Sequence, residues 1–455
     1  MKLFSRRNVD ITSGNLFYGI LMFTLPVILT NILQTLYNAA DMIIVGRYAG
    51  DICLAAVGAT GSVTNLIVGL FVGMGAGVSA IVSRYIGADD FEKTSKAVHT
   101  TVAMSLIFGF AIGIFGILSA RSIMEKMGTP SDVIDQSVIY MQIIFAGVPA
   151  NLVYNFCAAI LRSMGDTKRP LYFLTGAGII NVILNLLFVA GFGMDVDGVA
   201  LATIISQYIS AFLVVLTLVR TGNACHLDIN QIRMYRDEFK YIILIGLPAG
   251  IQSSTYSISN ILIQSTVNSF GSQAMSGFTA GANVLNFVNV VMDSFAAAAI
   301  VYVAQNYGAG KISRAIKSTN VCYIFVIVIG TVLGFIAAQF GTQLIGIYAP
   351  GNAEVAVYGM KYLIMFKYIC AFGGINGIAT SALRGMGKSV MPMIISIMGI
   401  CVFRVVWILT LFPHYPTLET LYISYPITWI LTSVINGAVF YILAFYMRKK
   451  TSQIS

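Results

Sequence analysis

Long apolar stretches, separated by short polar segments, run through the whole chain. A helix that crosses a membrane needs about 20 mostly apolar residues. Several stretches are longer than this, so the helices they form must tilt or extend into water. The pattern predicts twelve membrane helices, over residues 16–45, 53–83, 96–119, 133–158, 168–190, 197–220, 238–268, 276–306, 316–340, 354–382, 390–411 and 421–446.

The first half of this pattern returns in the second half, almost in register. Leu25-Pro26 recurs as Leu247-Pro248, and Leu161-Arg162 recurs as Leu383-Arg384, each followed two residues later by Met-Gly. Pro248 follows Pro26 by 222 residues, and Arg384 follows Arg162 by the same number. A duplicated set of six spans predicts two bundles related by a pseudo-two-fold axis along the membrane normal.

The fold class that follows is all-α and integral to the membrane, with twelve helices in two six-helix bundles. The longest polar stretch, from Thr221 to Lys240, is the predicted connection between them. We therefore expect an N-terminal lobe over 1–220, a cytoplasmic linker over 221–240 and a C-terminal lobe over 241–455.

Composition and charge support this class and give an orientation. Apolar residues make up 57% of the chain and charged residues 10%, whereas soluble domains carry about a quarter charged residues. Basic residues concentrate on the cytoplasmic side of membrane proteins. Both termini are therefore expected in the cytoplasm, in a protein of the cell membrane. Most of the 27 Lys and Arg fall on that side: Lys2, Arg6, Arg7, Arg84, Lys93, Lys96, Arg162, Lys168, Arg169, Arg220, Arg233, Arg236, Lys240, Lys311, Arg314, Lys317, Arg384, Lys388, Arg448, Lys449 and Lys450.

Several classes of function and partner are disfavoured. The net charge of +9 is spread over short segments, which argues against a nucleic-acid partner, and a monomer in the lipid bilayer is expected. The six cysteines form no CxxC pair and the three histidines are scattered, so no metal centre or other cofactor is expected. HExxH, GxSxG and P-loop motifs are absent, so the chain is not expected to be an enzyme. Any transport must then draw on a gradient.

A polar face in the first lobe is the first candidate site. Gln34, Asn38 and Asp41 follow one another by four and three residues, which places them along one face of the first helix. Asn185 on the fifth helix and Thr203 on the sixth lie, like Asp41, about 8–9 Å below the outer ends of their helices, and Asn181 is one turn from Asn185. Oxygen ligands of this kind suit a small hard cation such as Na⁺, and a lone carboxylate could equally hold a proton. The alternative is an interhelical hydrogen-bond cluster without a transport role.

Three charges near mid-depth in the second lobe form the second candidate site. Asp293, Lys367 and Arg404 lie on different predicted helices, and a grouped arrangement would let Asp293 neutralise one of the two basic residues. One interpretation is a buried ion-pair network that fixes packing. The other is a substrate or gating site in a second-lobe cavity. Three further residues on the seventh helix would complete that site: Tyr256, Asn260 and Gln264.

Several short stretches, in this order and with this topology, resemble the multidrug and toxic compound extrusion (MATE) family over nearly the whole chain. They are Leu25-Pro26, the segment from Asn38 to Arg47, Leu54-Ala55-Ala56-Val57-Gly58, Gln305-Asn306-Tyr307-Gly308-Ala309-Gly310 and the two Leu-Arg-x-Met-Gly motifs. The resemblance implies a V-shaped pair of bundles and cation-driven export of organic compounds. It also implies that Asp41, Asn181, Asn185 and Thr203 form the first-lobe cation site. One branch of the family has acids where this chain has Tyr256 and Gly373, so a second-lobe cation site of that kind is not expected.

The sequence therefore predicts a secondary active transporter, an antiporter that exports amphiphilic organic compounds or drugs in exchange for Na⁺ or H⁺. Two alternatives keep the fold and change the cargo: an anionic or zwitterionic metabolite, or a lipid-linked saccharide. The positive charges of Lys367 and Arg404 favour the first alternative, and the count of twelve spans argues against the second. A channel is disfavoured because no filter-like repeat occurs.

Overall fold

A computed structural model describes residues 11–452, and within them the chain is helical without β-strands. Three basic residues used for the orientation, Lys2, Arg6 and Arg7, lie outside the described residues. The helices are α1 (Leu16–Ile44), α2 (Gly50–Gly87), α3 (Phe91–Lys126), α4 (Ile134–Ser163), α5 (Lys168–Asn185), α6 (Val196–Val219), α7 (Arg236–Asn268), α8 (Ser272–Gly308), α9 (Ile312–Gln339), α10 (Gly341–Tyr348), α11 (Ala353–Phe366), α12 (Cys370–Gly385), α13 (Val390–Ser396), α14 (Phe403–Thr410), α15 (Leu418–Tyr422) and α16 (Ser424–Ser452).

Each of the twelve predicted spans corresponds to one of these helices or to a pair of them. Within residues 11–452, ten helical segments are long and apolar enough to cross a membrane, and the pair α11–α12 makes an eleventh. The twelfth, α7, is long enough at 33 residues but carries a stripe of amide and hydroxyl side chains that faces a cavity. The prediction of one continuous helix over 354–382 was wrong, because the chain bends by 54° between α11 and α12.

Three π-helical segments interrupt the α-helices, and the apolar pattern did not predict them. Val45–Ala49 follows α1, Leu186–Gly191 follows α5, and Ile397–Val402 joins α13 to α14. In a π-helical turn one extra residue is accommodated, which turns the following side chains to a new direction. Pro26 and Pro248 lie inside α1 and α7, as the sequence indicated.

The described chain divides into two compact units. The first holds Leu25–Gly250, and the second holds Ile11–Thr24 together with residues 251–452. The helices α1 and α7 thus each begin in one unit and end in the other, and both change unit within three residues of their proline. The predicted linker 221–240 packs within the first unit. The lobes 1–220 and 241–455, as functional domains, stay a prediction.

Backbone amides of the polar linker donate hydrogen bonds to side chains of α3. The amide of Asp228 donates to Nε2 of His99 at 3.0 Å, and the amide of Tyr235 donates to the hydroxyl of Thr100 at 3.2 Å. Within this segment Cys225 and Leu227 are buried, and burial raises the pKa of the Cys225 thiol to about 12. This supports a packing role for that cysteine, because a thiol with so high a pKa is not a nucleophile at neutral pH.

Candidate functional site

The predicted residues of the first candidate site lie together in the first unit. Asp41 is near the end of α1, Asn181 and Asn185 are in the last turns of α5, and Thr203 is two turns into α6. The amide Nδ2 of Asn185 donates to Oδ1 of Asp41 at 2.6 Å and to Oδ1 of Asn181 at 3.3 Å. The Thr203 hydroxyl lies 3.5 Å from Oδ2 of Asp41, and Asn181 donates to that hydroxyl at 3.4 Å. We call these four residues the Asp41 network.

The Asp41 network contains an acceptor without a donor. Asn185 is completely buried, and its carbonyl oxygen Oδ1 has no hydrogen-bond partner among the described residues. An unpaired buried acceptor costs roughly 1–3 kcal/mol, so such a group calls for a ligand or a functional explanation. Together with two carboxylate oxygens, the amide oxygen of Asn181 and the hydroxyl of Thr203, it gives a set of oxygens suited to a hard cation.

A cavity of about 90 Å³ opens beside the Asp41 network. Gln34 and Asn38, which lie two turns and one turn before Asp41, line this cavity but take no part in the hydrogen bonds that define the network. The sequence interpretation missed three other amide side chains that line it. They are Asn151 and Asn155 on α4, which are joined by a 3.0 Å hydrogen bond, and Gln207 on α6. The four-residue spacing of Asn151 and Asn155 was the available signal.

The π-helical segments border the residues of interest. Asp41 precedes Val45–Ala49 by one turn, and Asn185 directly precedes Leu186–Gly191. In the second unit, Ile397–Val402 ends two residues before Arg404. Segments of this kind occur often at functional sites, because they direct side chains away from the regular helical positions. Their placement here is an independent reason to regard these regions as sites.

The second unit contains a cavity of about 640 Å³, which we call the second cavity. All three residues predicted on the seventh helix, Tyr256, Asn260 and Gln264, line it from α7. Asp293 lines it from α8 and Arg404 from α14. Asp293 is deep within α8 along the chain, yet its side chain is exposed to this space. The structure thus brings five of the six predicted residues to one cavity.

Arg404 is held by polar and aromatic contacts. Its Nη1 donates to Oδ1 of Asn260 at 3.5 Å and its Nη2 to the hydroxyl of Thr428 at 3.4 Å. The guanidinium carbon lies 3.9 Å from the ring centroid of Tyr425, the geometry of a cation–π contact. The residue is only 3% exposed. A buried guanidinium fixed in this way presents its charge to the cavity in one orientation.

The sixth residue, Lys367, does not join this group, and the predicted charged trio is not formed. Lys367 lies in the break between α11 and α12, and its ammonium sits over the rings of Phe335 and Tyr368, at 4.4 and 5.2 Å from their centroids. Across the described part of the chain, no salt bridge links Asp293 to Lys367 or to Arg404. The ion-pair interpretation of these charges was therefore wrong.

Arg384 is a cavity residue that the sequence interpretation missed. Its position at the end of a predicted span led us to count it among the cytoplasmic basic residues. In the structure it lines the second cavity, and its Nη2 donates to Oε1 of Gln252 at 2.7 Å. Gln252 in turn donates to the hydroxyl of Tyr256 at 2.9 Å. Gln252 lies four residues before Tyr256, so extending the polar stripe of α7 by one turn would have identified Gln252, although not Arg384 itself.

Comparisons with known proteins agree with this architecture. The MatE family model matches residues 26–187 and 248–410, so its two matches begin at the two repeated prolines. The "Probable multidrug resistance protein YpnP" of Bacillus subtilis (strain 168) is 26% identical over 395 residues, covering 87% of this chain and 88% of that protein. The "FAD transporter" of Shewanella oneidensis is 24% identical over 367 residues, covering 79% and 80%.

The fold also matches solved structures. One, described as the outward-facing conformation of a multidrug resistance MATE family transporter, has a TM-score of 0.91 and 22% sequence identity. The match covers 98% of this chain and 99% of that structure. The family match spans both halves of the chain and most of its length. The chain therefore belongs to the MATE family, whose members are multi-pass membrane transporters of small molecules and not enzymes.

Proposed function

We propose that this protein is an antiporter of the cell membrane that exports small organic compounds from the cytoplasm in exchange for a cation, Na⁺ or H⁺, bound at the Asp41 network. The observation that supports this most strongly is a carboxylate inside a helical bundle whose neighbours are oxygen-bearing side chains from two other helices. An ionisable residue within a membrane span is costly and is usually functional. The proposed orientation places both termini in the cytoplasm.

The Asp41 network suggests how a cation would change the site. Without one, the amide of Asn185 partly offsets the charge of Asp41 by donating a hydrogen bond at 2.6 Å. A bound Na⁺ would replace that donor, so the amide would turn and present Oδ1, the oxygen that now lacks a partner. A bound proton would instead make Asp41 itself a donor. Either ligand favours the arrangement of the bundle that binds it better, and an antiporter results when substrate favours the other arrangement.

Liposome flux under separately imposed gradients tests the proposal. We expect the flux of at least one of two fluorescent compounds, the cation ethidium and the anion calcein, to follow either an imposed Na⁺ gradient or an imposed pH gradient; the compound that does so is called the transported dye. The ion whose gradient drives flux is the coupling ion, because only a coupled gradient supplies a driving force. Protein-free liposomes provide the background. Flux that responds to neither gradient would refute the proposed antiport.

The Thr203→Val variant separates the two coupling ions. Valine keeps the shape of threonine but removes the hydroxyl that lies 3.5 Å from Asp41 Oδ2. For Na⁺ coupling, losing one oxygen ligand should raise the half-saturating Na⁺ concentration about tenfold, which corresponds to about 1.4 kcal/mol. For H⁺ coupling the carboxylate alone holds the proton, and the pH dependence should change little. Thr203→Ser retains the hydroxyl and should behave like the unmodified protein in both assays.

The charges of the second cavity support a second class of cargo. The two guanidinium groups of Arg384 and Arg404 outnumber the one carboxylate, Asp293, along its lining. This favours an anionic or zwitterionic metabolite over an organic cation, and the name of the Shewanella oneidensis relative, "FAD transporter", supports such cargo. Export of a lipid-linked saccharide remains the weaker alternative. Competition of each class against flux of the transported dye in the same liposomes distinguishes them.

A further inference from the structure

The two basic residues of the second cavity are not paired with acids. Arg384 and Arg404 make no salt bridge in the described part of the chain, and neither does the one acid of the lining, Asp293. The Nε atom of each arginine is buried and has no hydrogen-bond partner. Buried guanidinium groups are normally paired, and each unpaired N–H is costly. Two guanidinium groups that line one cavity without a carboxylate partner indicate a place for a ligand with anionic groups.

The two guanidinium groups are held apart by α7. Arg404 is bound to Asn260 and Arg384 to Gln252, and these two partners are eight residues apart on the same helix. At the rise of an α-helix, this separation is about 12 Å along the axis. One small anion such as phosphate cannot contact both groups at that distance. A single ligand that satisfies both must carry its two negative groups at opposite ends.

The lining of the second cavity also suits a flat, unsaturated body. Phe366, Tyr425 and Trp429 line the cavity and contact one another, with ring centroids 5.2 Å apart for Phe366 with either partner. Asn286 and Asn289 on α8 present exposed amides to the same space. Aromatic faces bind planar rings, and amides can donate to or accept from polar substituents on them.

We propose that the second cavity binds an elongated aromatic solute with an anionic group at each end, one contacting Arg384 and the other Arg404. Asp293, which also lines the cavity, repels negative charge on the ligand and can accept a hydrogen bond from a donor on it. This inference rests on the proposed transport function, because it names the substrate class of the same transporter. Bidentate pairing with carboxylate or phosphate groups is the preferred geometry of guanidinium.

Three rigid probes that share one biphenyl body test the requirement for two anionic groups, on the full-length protein in detergent. They are biphenyl-4,4′-dicarboxylate, biphenyl-4-carboxylate and the dication 4,4′-bis(aminomethyl)biphenyl. By isothermal titration calorimetry, we expect the dicarboxylate to bind about tenfold more tightly than the monocarboxylate, because only the dicarboxylate contacts both guanidinium groups. The dication should show no saturable binding. Equal affinity for the dication and the dicarboxylate would overturn the proposal.

Variants of the two arginines test where the dicarboxylate binds. Arg384→Gln and Arg404→Gln should each lower the affinity for the dicarboxylate about tenfold, to the level of the monocarboxylate. The matched control is Lys367→Gln, which removes the same charge from the same unit but from outside the cavity lining, and it should bind as the unmodified protein does. Monodisperse arginine variants that bind the dicarboxylate normally would contradict the proposal.

A fourth variant covers the case in which an arginine variant does not fold. Asp293→Asn leaves both guanidinium groups and removes the repelling carboxylate, so affinity for the dicarboxylate should rise several-fold; an unchanged affinity argues against the site.

Ligand binding can also be tested separately from cation coupling. The Asp41→Asn protein should bind the dicarboxylate normally, since Asp41 lies in the other unit. In the unmodified protein, dicarboxylate binding without cation-driven antiport would count against the proposed function alone, and antiport without dicarboxylate binding would count against the cavity proposal alone.

Discussion

Replacing Asp41 by asparagine is expected to reduce cation-driven efflux to the level of protein-free liposomes. The side chain keeps its size and can still accept from Asn185 through its amide oxygen, but it no longer carries the charge that binds Na⁺ or H⁺. Without a bound cation the gradient cannot favour either arrangement of the bundle. The measurement is flux of the transported dye, ethidium or calcein, in proteoliposomes under the driving gradient, with binding of that dye to the purified variant measured in parallel. Insertion into the membrane and binding should persist.

The control is the same chemical change at Asp195, an exposed residue that precedes α6 and whose side chain caps no backbone amide. Asp195→Asn removes one carboxylate from the same unit and should leave coupled flux unchanged. Equal loss of flux in both variants would indicate a general effect of charge or insertion. Coupled flux that survives Asp41→Asn would remove the proposed coupling site altogether.

The composition of the Asp41 network could be predicted because helical periodicity fixes two coordinates of a side chain. Spacing by three and four residues gives the face, and the distance from the end of the span gives the depth. Residues at one depth on polar faces of three helices meet readily, because no such face can point to lipid. The π-helical segments that follow Asp41 and Asn185 were not predicted. A change in hydrogen-bond register inside a helix leaves no mark on the apolar pattern.

The second cavity shows why contacts between side chains cannot be predicted from their depth alone. Depth alone placed Lys367 beside Asp293 and Arg404, on the assumption that residues 354–382 form one straight helix. The 54° bend at Lys367 turns its side chain onto Phe335 and Tyr368 instead. Arg384 was misjudged for the opposite reason. It lies at a helix end, where basic residues usually contact water, but its partner Gln252 reaches it from α7.

Glycine is the other feature whose meaning required the structure. The 43 glycines indicated close helix contacts without identifying which helices meet. In the first unit, α2 and the first part of α7 approach each other at two pairs of glycines. Gly73 and Gly77 on α2 are four residues apart, and so are Gly246 and Gly250 on α7. A Cβ atom at Gly73 would lie 2.7 Å from the Cα of Gly250, and one at Gly246 would lie 2.8 Å from the carbonyl oxygen of Met74. The backbones of these helices are therefore in direct contact.

Gly77→Ala is expected to disrupt this crossing. The added methyl group would lie 2.5 Å from the carbonyl oxygen of Ile242 and 2.7 Å from the backbone nitrogen of Gly246. Backbone atoms of a packed helix cannot move aside as a flexible side chain does, so the two helices must separate. We expect a loss of about 2 kcal/mol or more in the free energy of unfolding, typical of an overpacked core. In size-exclusion thermal stability measurements in detergent, the midpoint should fall by about 5 °C or more.

Gly75→Ala provides a matched comparison two residues away on the same helix. Apart from the backbone of its own helix, no heavy atom of the described residues lies within 4 Å of a Cβ at Gly75, so the extra methyl group meets open space. Alanine also favours the helical state over glycine by about 1 kcal/mol, so this variant should be as stable as the unmodified protein or slightly more stable. The two variants differ only in whether the new methyl group faces α7. Equal midpoints would show that the close backbone contact between α2 and α7 does not stabilise the first unit.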